Sequence, residues 1–179
     1  MYIKSNTLFK DTRPERIYDG IPRPVIIADN LLTPENMGSM IRLADNIGAG
    51  KMIFLGRETA KSVSHIRRCA ASSRDNIEWF FTEENDLRKL VGMKKIVAIE
   101  TADDAICIYD AELPVDVAFI VGNESRGIRP EILSQCDMIT YIPVPGPTRS
   151  LNVSHAAAVA LFEWQRRLLT DHPVISDRR

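Results

Sequence analysis

Three stretches of the sequence contain arginine, asparagine, glutamate and serine side chains, which bind anions, form hydrogen bonds with polar ligands or transfer protons. The first stretch contains Asn36, Gly38 and Arg42 within a helical pattern. Glycine weakens a helix by about 1 kcal/mol relative to alanine, so Gly38 needs a physical reason. We expect it to let a second backbone or a ligand come close beside Arg42. The alternative is a surface ion pair between Arg42 and Asp45 over a tolerated glycine.

The second stretch begins at Gly122, contains Glu124 and ends at Gly127 (GNESRG). It follows a strand-like run, and a glycine-bracketed turn from a strand to a helix is a common ligand site in α/β proteins. Ile128 and Arg129 stand where a Walker loop has lysine and serine or threonine, and no GxGxxG motif is found. The pattern therefore does not favour a kinase, a GTPase or a dehydrogenase.

The third stretch, residues 142–154, reads IPVPGPTRSLNVS. Its prolines at alternate positions remove amide donors and hold the chain extended. Ser150 then stands where a serine caps a following helix, and taken alone such a serine is more often a cap than a catalytic group. The helix that follows begins with several alanines, which allow close packing.

Six short runs of β-branched and aromatic residues predict strands that position these stretches, with helical patterns between most of them. The predicted strands are residues 24–28, 52–55, 77–81, 95–99, 117–121 and 138–142. The predicted helices are residues 34–47, 61–71, 83–91, 130–136 and 151–169. This alternation predicts an α/β fold with a mainly parallel sheet flanked by helices. We expect a lead-in arm over residues 1–23, one domain over 24–169 and a short tail over 170–179.

The composition excludes several classes of protein. The chain has 179 residues, of which 45% are hydrophobic and 26% charged, as in a globular protein that buries its own core. No apolar run is long enough for a membrane helix. Three scattered cysteines without a CxxC pair predict neither a disulfide framework nor a zinc site. We therefore expect no metal and a cytoplasmic location.

The formal net charge of −1 conceals a basic segment. Residues 57–74 carry five lysine and arginine side chains, among them Arg67 and Arg68, against the single acidic residue Glu58. Such a segment either binds phosphates or forms a solvated helix face. The charge pattern alone favours the solvated face.

Taken in order, the three stretches resemble the three motifs of the SpoU/TrmH family of RNA 2′-O-ribose methyltransferases. The matching positions are Asn36-x-Gly38-x-x-x-Arg42-x-Ala44, Gly122-Asn123-Glu124-x-x-Gly127, and Ile142-Pro143 followed by Ser150-Leu151-Asn152-Val153-Ser154-x-Ala156. The resemblance runs from about residue 24 to residue 167. It implies a SPOUT-type α/β domain with a C-terminal trefoil knot, S-adenosylmethionine bound at that knot, and a homodimer that shares its active sites between subunits.

The resemblance also implies roles for individual residues, carried over position by position. Arg42 matches the family's catalytic arginine, and the polar groups expected around it are Asn36, Glu124, Ser150 and Asn152. The expected cofactor pocket includes Thr101, Gly122, Ile142 and Leu151. The resemblance also strengthens the interpretation of the basic segment as a phosphate-binding surface. The expected RNA contacts are Arg67, Arg68, Arg126 and Arg149.

The implied reaction transfers a sulfonium methyl group to a ribose 2′-hydroxyl. It requires alignment of oxygen, carbon and sulfur and removal of the hydroxyl proton. We expect Arg42 to be essential, either as the general base or as a phosphate clamp, since a guanidinium is a reluctant base. Glu124 is a second possible proton acceptor, but we favour a role in which it accepts backbone amides and holds its loop.

The resemblance favours tRNA as the substrate, with the D-loop guanosine preferred to the wobble nucleotide. Ribosomal RNA is the alternative substrate. A non-catalytic RNA-binding protein on the same scaffold is an alternative of another class. The polar residues that match the family motifs count against it, namely Asn36, Arg42, Glu124, Ser150 and Asn152. An unrelated nucleotide-binding α/β protein would bind ATP or NAD and not S-adenosylmethionine.

Overall fold

A computed structural model of the chain describes residues 3–9, 14–58 and 60–171. Its strands are β1 (Val25–Asp29), β2 (Lys51–Leu55), β3 (Glu78–Thr82), β4 (Lys95–Ile99), β5 (Ile106–Cys107), β6 (Val117–Val121) and β7 (Met138–Tyr141). They form one sheet in the order β3-β2-β1-β6-β4-β7-β5, and each pair of neighbours is parallel. The predicted α/β fold with a parallel sheet is confirmed.

Helices cover both faces of this sheet. They are α1 (Ser5–Leu8), α2 (Pro14–Ile17), α3 (Pro34–Ile47), α4 (Ala60–Ala70), α5 (Ser73–Asn76), α6 (Leu87–Val91), α7 (Pro130–Leu133) and α8 (Val153–Asp171). No helix within the described residues is long and apolar enough to cross a bilayer. Parts of the predicted lead-in arm and tail, residues 1, 2, 10–13 and 172–179, lie outside the described residues.

Each face of the sheet has its own core. Side chains of α3, α4 and α8 pack on one face around Met40, Phe119 and Trp164. Side chains of α6 and α7 pack on the other face around Leu87 and Ile132. The central strands β1 and β6 are buried along their whole length, as a parallel sheet covered on both faces requires.

The predicted strands agree with the observed strands to within one residue at each end. The two-residue strand β5 was missed because so short a run carries no pattern. The helix predicted over 83–91 begins only at Leu87, since Asp86 caps it by accepting a 3.1 Å hydrogen bond from the Arg88 amide. The helix predicted over 130–136 ends at Leu133, where hydrogen bonds between residues three apart tighten the chain into a turn.

The strand order brings the three motif stretches together. The segments that contain them follow β1, β6 and β7, and β4 lies between β6 and β7. Because all these strands are parallel, their carboxyl ends share one edge of the sheet. The trefoil knot stays a prediction.

Candidate active site

Glu124 links the segments that follow β1 and β6. Its carboxylate accepts hydrogen bonds from the amides of Leu32 and Thr33, at 3.1 Å each, and from Asn36 Nδ2 at 2.9 Å. Burial alone would raise the pKa of Glu124. The hydrogen bonds that its carboxylate accepts, first among them the one from Asn36, lower the pKa by more, so the pKa lies below the ordinary value. A carboxylate held in this way is a weak proton acceptor. Its contacts favour the loop-holding role over the general-base role.

Asn36 joins all three motifs. While its Nδ2 donates to Glu124, its Oδ1 accepts a 2.9 Å hydrogen bond from Asn152 Nδ2. Asn152 Oδ1 in turn accepts from the amide and the hydroxyl of Ser154, at 2.9 and 2.7 Å. Asn152 therefore caps α8, and the predicted cap at Ser150 is wrong because the helix begins at Val153. Ser150 is exposed.

Asn123 shapes the loop between β6 and α7. Its side-chain amide donates to the Asn30 carbonyl at 2.6 Å, and its Oδ1 accepts from the amides of Ser125 and Arg126 at 2.9 and 3.1 Å. The backbones of Asn123 and Gly127 exchange two hydrogen bonds of 3.0 Å. These contacts close the loop on itself and leave Ser125 and Arg126 exposed.

The two glycines of this loop are required by close packing. A Cβ at Gly122 would lie 2.2 Å from the carbonyl carbon of Gly127 and from the amide nitrogen of Ile128. Gly127 has a left-handed φ of +70°, and a Cβ there would lie 2.3 Å from Glu100 Oε2. The loop therefore folds back against its own strand and against the end of β4.

Two adjoining cavities open at this edge of the sheet, with volumes of about 250 and 140 Å³. Gly122 lines the larger cavity, Thr101 and Ile142 line the smaller one, and Leu151 lines both. Ser150 also lines both. The residues expected to bind the cofactor thus meet in one cleft, which we call the cofactor cleft.

Gly38 lies where α4 crosses α3. A Cβ at Gly38 would lie 2.3 Å from Cys69 Cβ and 3.0 Å from the backbone nitrogen of Ala70. The expectation that Gly38 admits a second backbone is confirmed, and that backbone belongs to α4. The alternative, an ion pair between Arg42 and Asp45, is wrong for the described residues, since Asp45 instead accepts a 3.1 Å hydrogen bond from Asn76.

Arg42 stands apart from the other expected catalytic residues. It is exposed on α3 and makes no hydrogen bond or ion pair with any residue that the structure describes. It does not line either cavity of the cofactor cleft. Its guanidinium is therefore free to meet a ligand that approaches from solvent.

The four arginines expected to contact RNA fall on different elements. Arg149 lines the smaller cavity and donates to the Val144 carbonyl at 3.1 Å, whereas Arg126 projects from the β6–α7 loop. Arg67 and Arg68 are exposed on α4, and the guanidinium of Arg67 lies 5.6 Å from the centre of the Trp79 ring. Arg149 thus lies at the cleft, Arg126 on the adjoining loop outside it, and Arg67 and Arg68 on α4.

Two acidic residues of the site were not predicted from the sequence. Asp29, fully buried at the end of β1, forms a 2.8 Å ion pair with Arg129 and accepts the Arg129 amide at 2.8 Å. The hydrogen bond to Asp29 raises the pKa of Arg129. Glu100, directly after β4, lines both cavities. In each case the only signal was an acidic residue at the end of an apolar strand.

This chain is similar to known RNA methyltransferases over most of its length. The sequence pattern described as the SpoU rRNA Methylase family matches residues 23–162. The 23S rRNA (guanosine-2′-O-)-methyltransferase RlmB of Acinetobacter baylyi is 33% identical over 150 residues, which are 81% of this chain and 60% of that protein. The tRNA (guanosine(18)-2′-O)-methyltransferase of Aquifex aeolicus is 28% identical over 149 residues, which are 80% of this chain and 69% of that protein.

A solved structure shares the fold. The AdoMet-bound rRNA methyltransferase from Sinorhizobium meliloti matches with a TM-score of 0.74 at 26% identity, over 86% of this chain and 60% of that chain. The present chain thus spans about 60% of the length of its RlmB relative. The family pattern covers most of the chain, including all three motif stretches. The chain belongs to the SpoU rRNA methylase family.

Proposed function

We propose that this protein methylates a ribose 2′-hydroxyl in RNA with S-adenosylmethionine as methyl donor. The observation that carries the proposal is the junction at Asn36, which hydrogen-bonds both Glu124 and Asn152 and so joins three motifs beside one cleft. Membership of the SpoU family supports the reaction class. The relatives from Acinetobacter and Aquifex are named as 2′-O-methyltransferases, which supports the 2′-hydroxyl as the acceptor.

S-adenosylmethionine is the cofactor, and the residues of the cleft fit it. Ile99, Ile142 and Leu151 offer an apolar lining for an adenosyl group. Glu100 and Glu124 line the larger cavity, and no basic side chain of the described residues lines it, which suits a cationic ligand. When bound, the cofactor supplies a methyl group attached to positively charged sulfur.

The chain's own residues bind the RNA and align the acceptor. In the transfer, the ribose oxygen would take the methyl group, the sulfur of the cofactor would keep the electron pair of the broken bond, and the hydroxyl proton would pass to water. Arg42 is exposed and has no partner among the described residues, so its guanidinium is available to bind the incoming RNA. Glu124 holds the β1–α3 segment in place, and Asn36 and Asn152 orient the polar groups at the mouth of the cleft.

A homodimer accounts for the position of Arg42. Arg42 does not line the cofactor cleft of its own chain. In a homodimer, Arg42 of one protomer would instead lie beside the cofactor cleft of its partner. Exposed apolar side chains on β5, β7 and α8, namely Ile106, Tyr141 and Phe162, offer surface for a second copy. We infer that the active site is completed across this interface.

Ribosomal RNA is the first candidate substrate, because relatives that are 33% identical are named 23S rRNA methyltransferases. The tRNA substrate favoured by the sequence remains the second candidate, supported by the name of the Aquifex relative. Both names specify guanosine, and we propose a guanosine ribose as the acceptor.

Incubation of the purified protein with methyl-labelled S-adenosylmethionine and separate unmodified 23S rRNA and tRNA transcripts tests this proposal. We expect label in one class of RNA, at one position. Label in the tRNA alone would overturn the preference for ribosomal RNA but leave the reaction standing. Label in neither RNA, with folded protein and precursor ribosomal particles also tried, would contradict the proposed function.

A further inference from the structure

Glu100 lies outside the three motifs, yet it occupies the wall between the two cavities of the cofactor cleft. Its Oε2 accepts a 2.8 Å hydrogen bond from the Ile128 amide, and its Oε1 accepts a 2.9 Å hydrogen bond from the Thr101 amide. Two backbone segments, one after β4 and one after β6, therefore fix the position of this carboxylate.

The β6–α7 loop is built around this carboxylate. Gly127 passes so close that a Cβ would lie 2.3 Å from Glu100 Oε2, and its φ of +70° is one that side chains disfavour. Because glycine has no side chain, the loop backbone lies directly against the Glu100 carboxylate. The geometry keeps Glu100 at the cavity wall.

The charge of Glu100 has no cationic partner among the residues that the structure describes. In the larger cavity it is joined by Glu124, whose oxygens accept from Asn36 and two backbone amides. In the smaller cavity, Arg149 directs a guanidinium nitrogen to the Val144 carbonyl. The larger cavity therefore carries negative charge that a positive ligand would balance.

We propose that Glu100 makes the cofactor cleft discriminate between S-adenosylmethionine and S-adenosylhomocysteine, an inference that rests on the proposed function. S-adenosylmethionine carries a positive sulfonium, whereas the demethylated product has a neutral thioether and is otherwise the same. A fixed carboxylate at the cavity wall stabilises the sulfonium and adds little to the binding of the thioether. The cleft thus favours the cofactor over its own product.

Titration calorimetry of the full chain with both ligands tests this role. We expect Glu100→Gln to weaken S-adenosylmethionine binding about tenfold and to change S-adenosylhomocysteine binding by less than about twofold. Sinefungin, which carries an amine in place of the methylsulfonium, should lose affinity as S-adenosylmethionine does. Glu100→Asp, which keeps the charge, should retain the preference. Glu112→Gln, an exposed carboxylate outside the cleft, is the matched control.

Equal loss of both ligands in Glu100→Gln would overturn the proposal, because it would assign Glu100 to holding the loop or to a group that the two ligands share. An unchanged ratio of affinities would overturn it as well. If Glu100→Gln does not fold, a preference of the wild-type protein that does not narrow as ionic strength rises would still overturn the proposal, because it would exclude a role for charge. A folded wild-type protein that binds neither ligand would instead contradict the proposed function.

Discussion

Arg42 is the side chain on which the proposed reaction depends most. It is exposed and has no partner within the described part of the chain, so its removal should not disturb the fold. We expect Arg42→Ala to lower the rate of methyl transfer by about 100-fold or more, a loss typical of a missing charge-stabilising or proton-transferring group. Thermal unfolding and cofactor affinity should stay unchanged.

The matched control is Arg16→Ala, which removes an exposed arginine from α2. Its rate of transfer should equal that of the wild-type protein. A rate for Arg42→Ala within about twofold of the wild-type rate would remove Arg42 from the mechanism.

Glu124 gives the site a predictable dependence on pH. Its pKa in the folded protein lies below the ordinary value because hydrogen bonds from Asn36 and backbone amides outweigh the effect of burial. A group with a lowered pKa stabilises the fold above its unfolded pKa, and this contribution is lost as the pH falls through the folded value. We expect Glu124→Gln to be less stable than the wild-type protein at neutral pH, with the difference shrinking in acid.

Urea denaturation of both proteins at neutral pH and at several pH values from about 5 down to about 3 measures this difference. Glu112→Gln is again the control, since its carboxylate is exposed and accepts no hydrogen bond from any residue that the structure describes. A destabilisation by Glu124→Gln that does not change with pH would mean that the charge of Glu124 does not act on the loop.

At the scale of elements, the contact between α3 and α4 depends on Gly38. Any Cβ at this position meets Cys69 Cβ at 2.3 Å, so the two helices must separate. We expect Gly38→Ala to destabilise the protein by about 1–3 kcal/mol, the usual cost of overpacking, despite alanine's better helix propensity. Chemical denaturation measures the change, with Ser39→Ala, at the next and exposed position of α3, as the control.

A stabilised Gly38→Ala variant would show that the helices adjust at no cost. The α3–α4 contact would then not explain the glycine, and a ligand beside Arg42 would become the better explanation.

The elements themselves were largely predictable from the sequence, for a physical reason. Strands buried on both faces read as continuous apolar runs, so β1, β4 and β6 were placed to within a residue. Helix ends were less predictable because distant or irregular capping contacts decide them. Asn152 caps α8 and also bonds Asn36, a partner 116 residues away, and Ser150 was chosen in its place.

Only those site residues that belong to one of the three motifs were predictable from the sequence. Asn36, Glu124 and Asn152 came from the resemblance, and the structure joins them by hydrogen bonds. Glu100 follows no motif, because its position depends on the amide of Ile128, which the fold brings near from 28 residues away. The pair of Asp29 and Arg129, 100 residues apart, was hidden for the same reason.

At the scale of the whole molecule, the charge is distributed unevenly. Arg57 pairs with Glu83 and Arg74 with Asp75, which reduces the basic excess of residues 57–74. Arg67 and Arg68 remain exposed on α4. We expect Arg67→Glu with Arg68→Glu to weaken RNA binding about tenfold or more and to flatten its dependence on salt, because fewer counterions are released.

Filter binding at several salt concentrations measures this effect, and calorimetry should find cofactor affinity unchanged. The control is Lys4→Glu with Arg16→Glu, an equal change of charge at two exposed positions that form no ion pair within the described residues. Unchanged RNA affinity in the α4 variant would exclude this surface from the RNA contact.

The proposed reaction methylates a ribose oxygen of RNA and requires Arg42. The most direct measurement is mass spectrometry of nucleosides from RNA incubated with S-adenosylmethionine and either wild-type protein or Arg42→Ala. We predict one 2′-O-methylnucleoside with the wild-type protein and, over the same time, at most about one hundredth of that yield with Arg42→Ala. Methylation on a base, or a 2′-O-methyl yield that Arg42→Ala leaves unchanged, would contradict the claim.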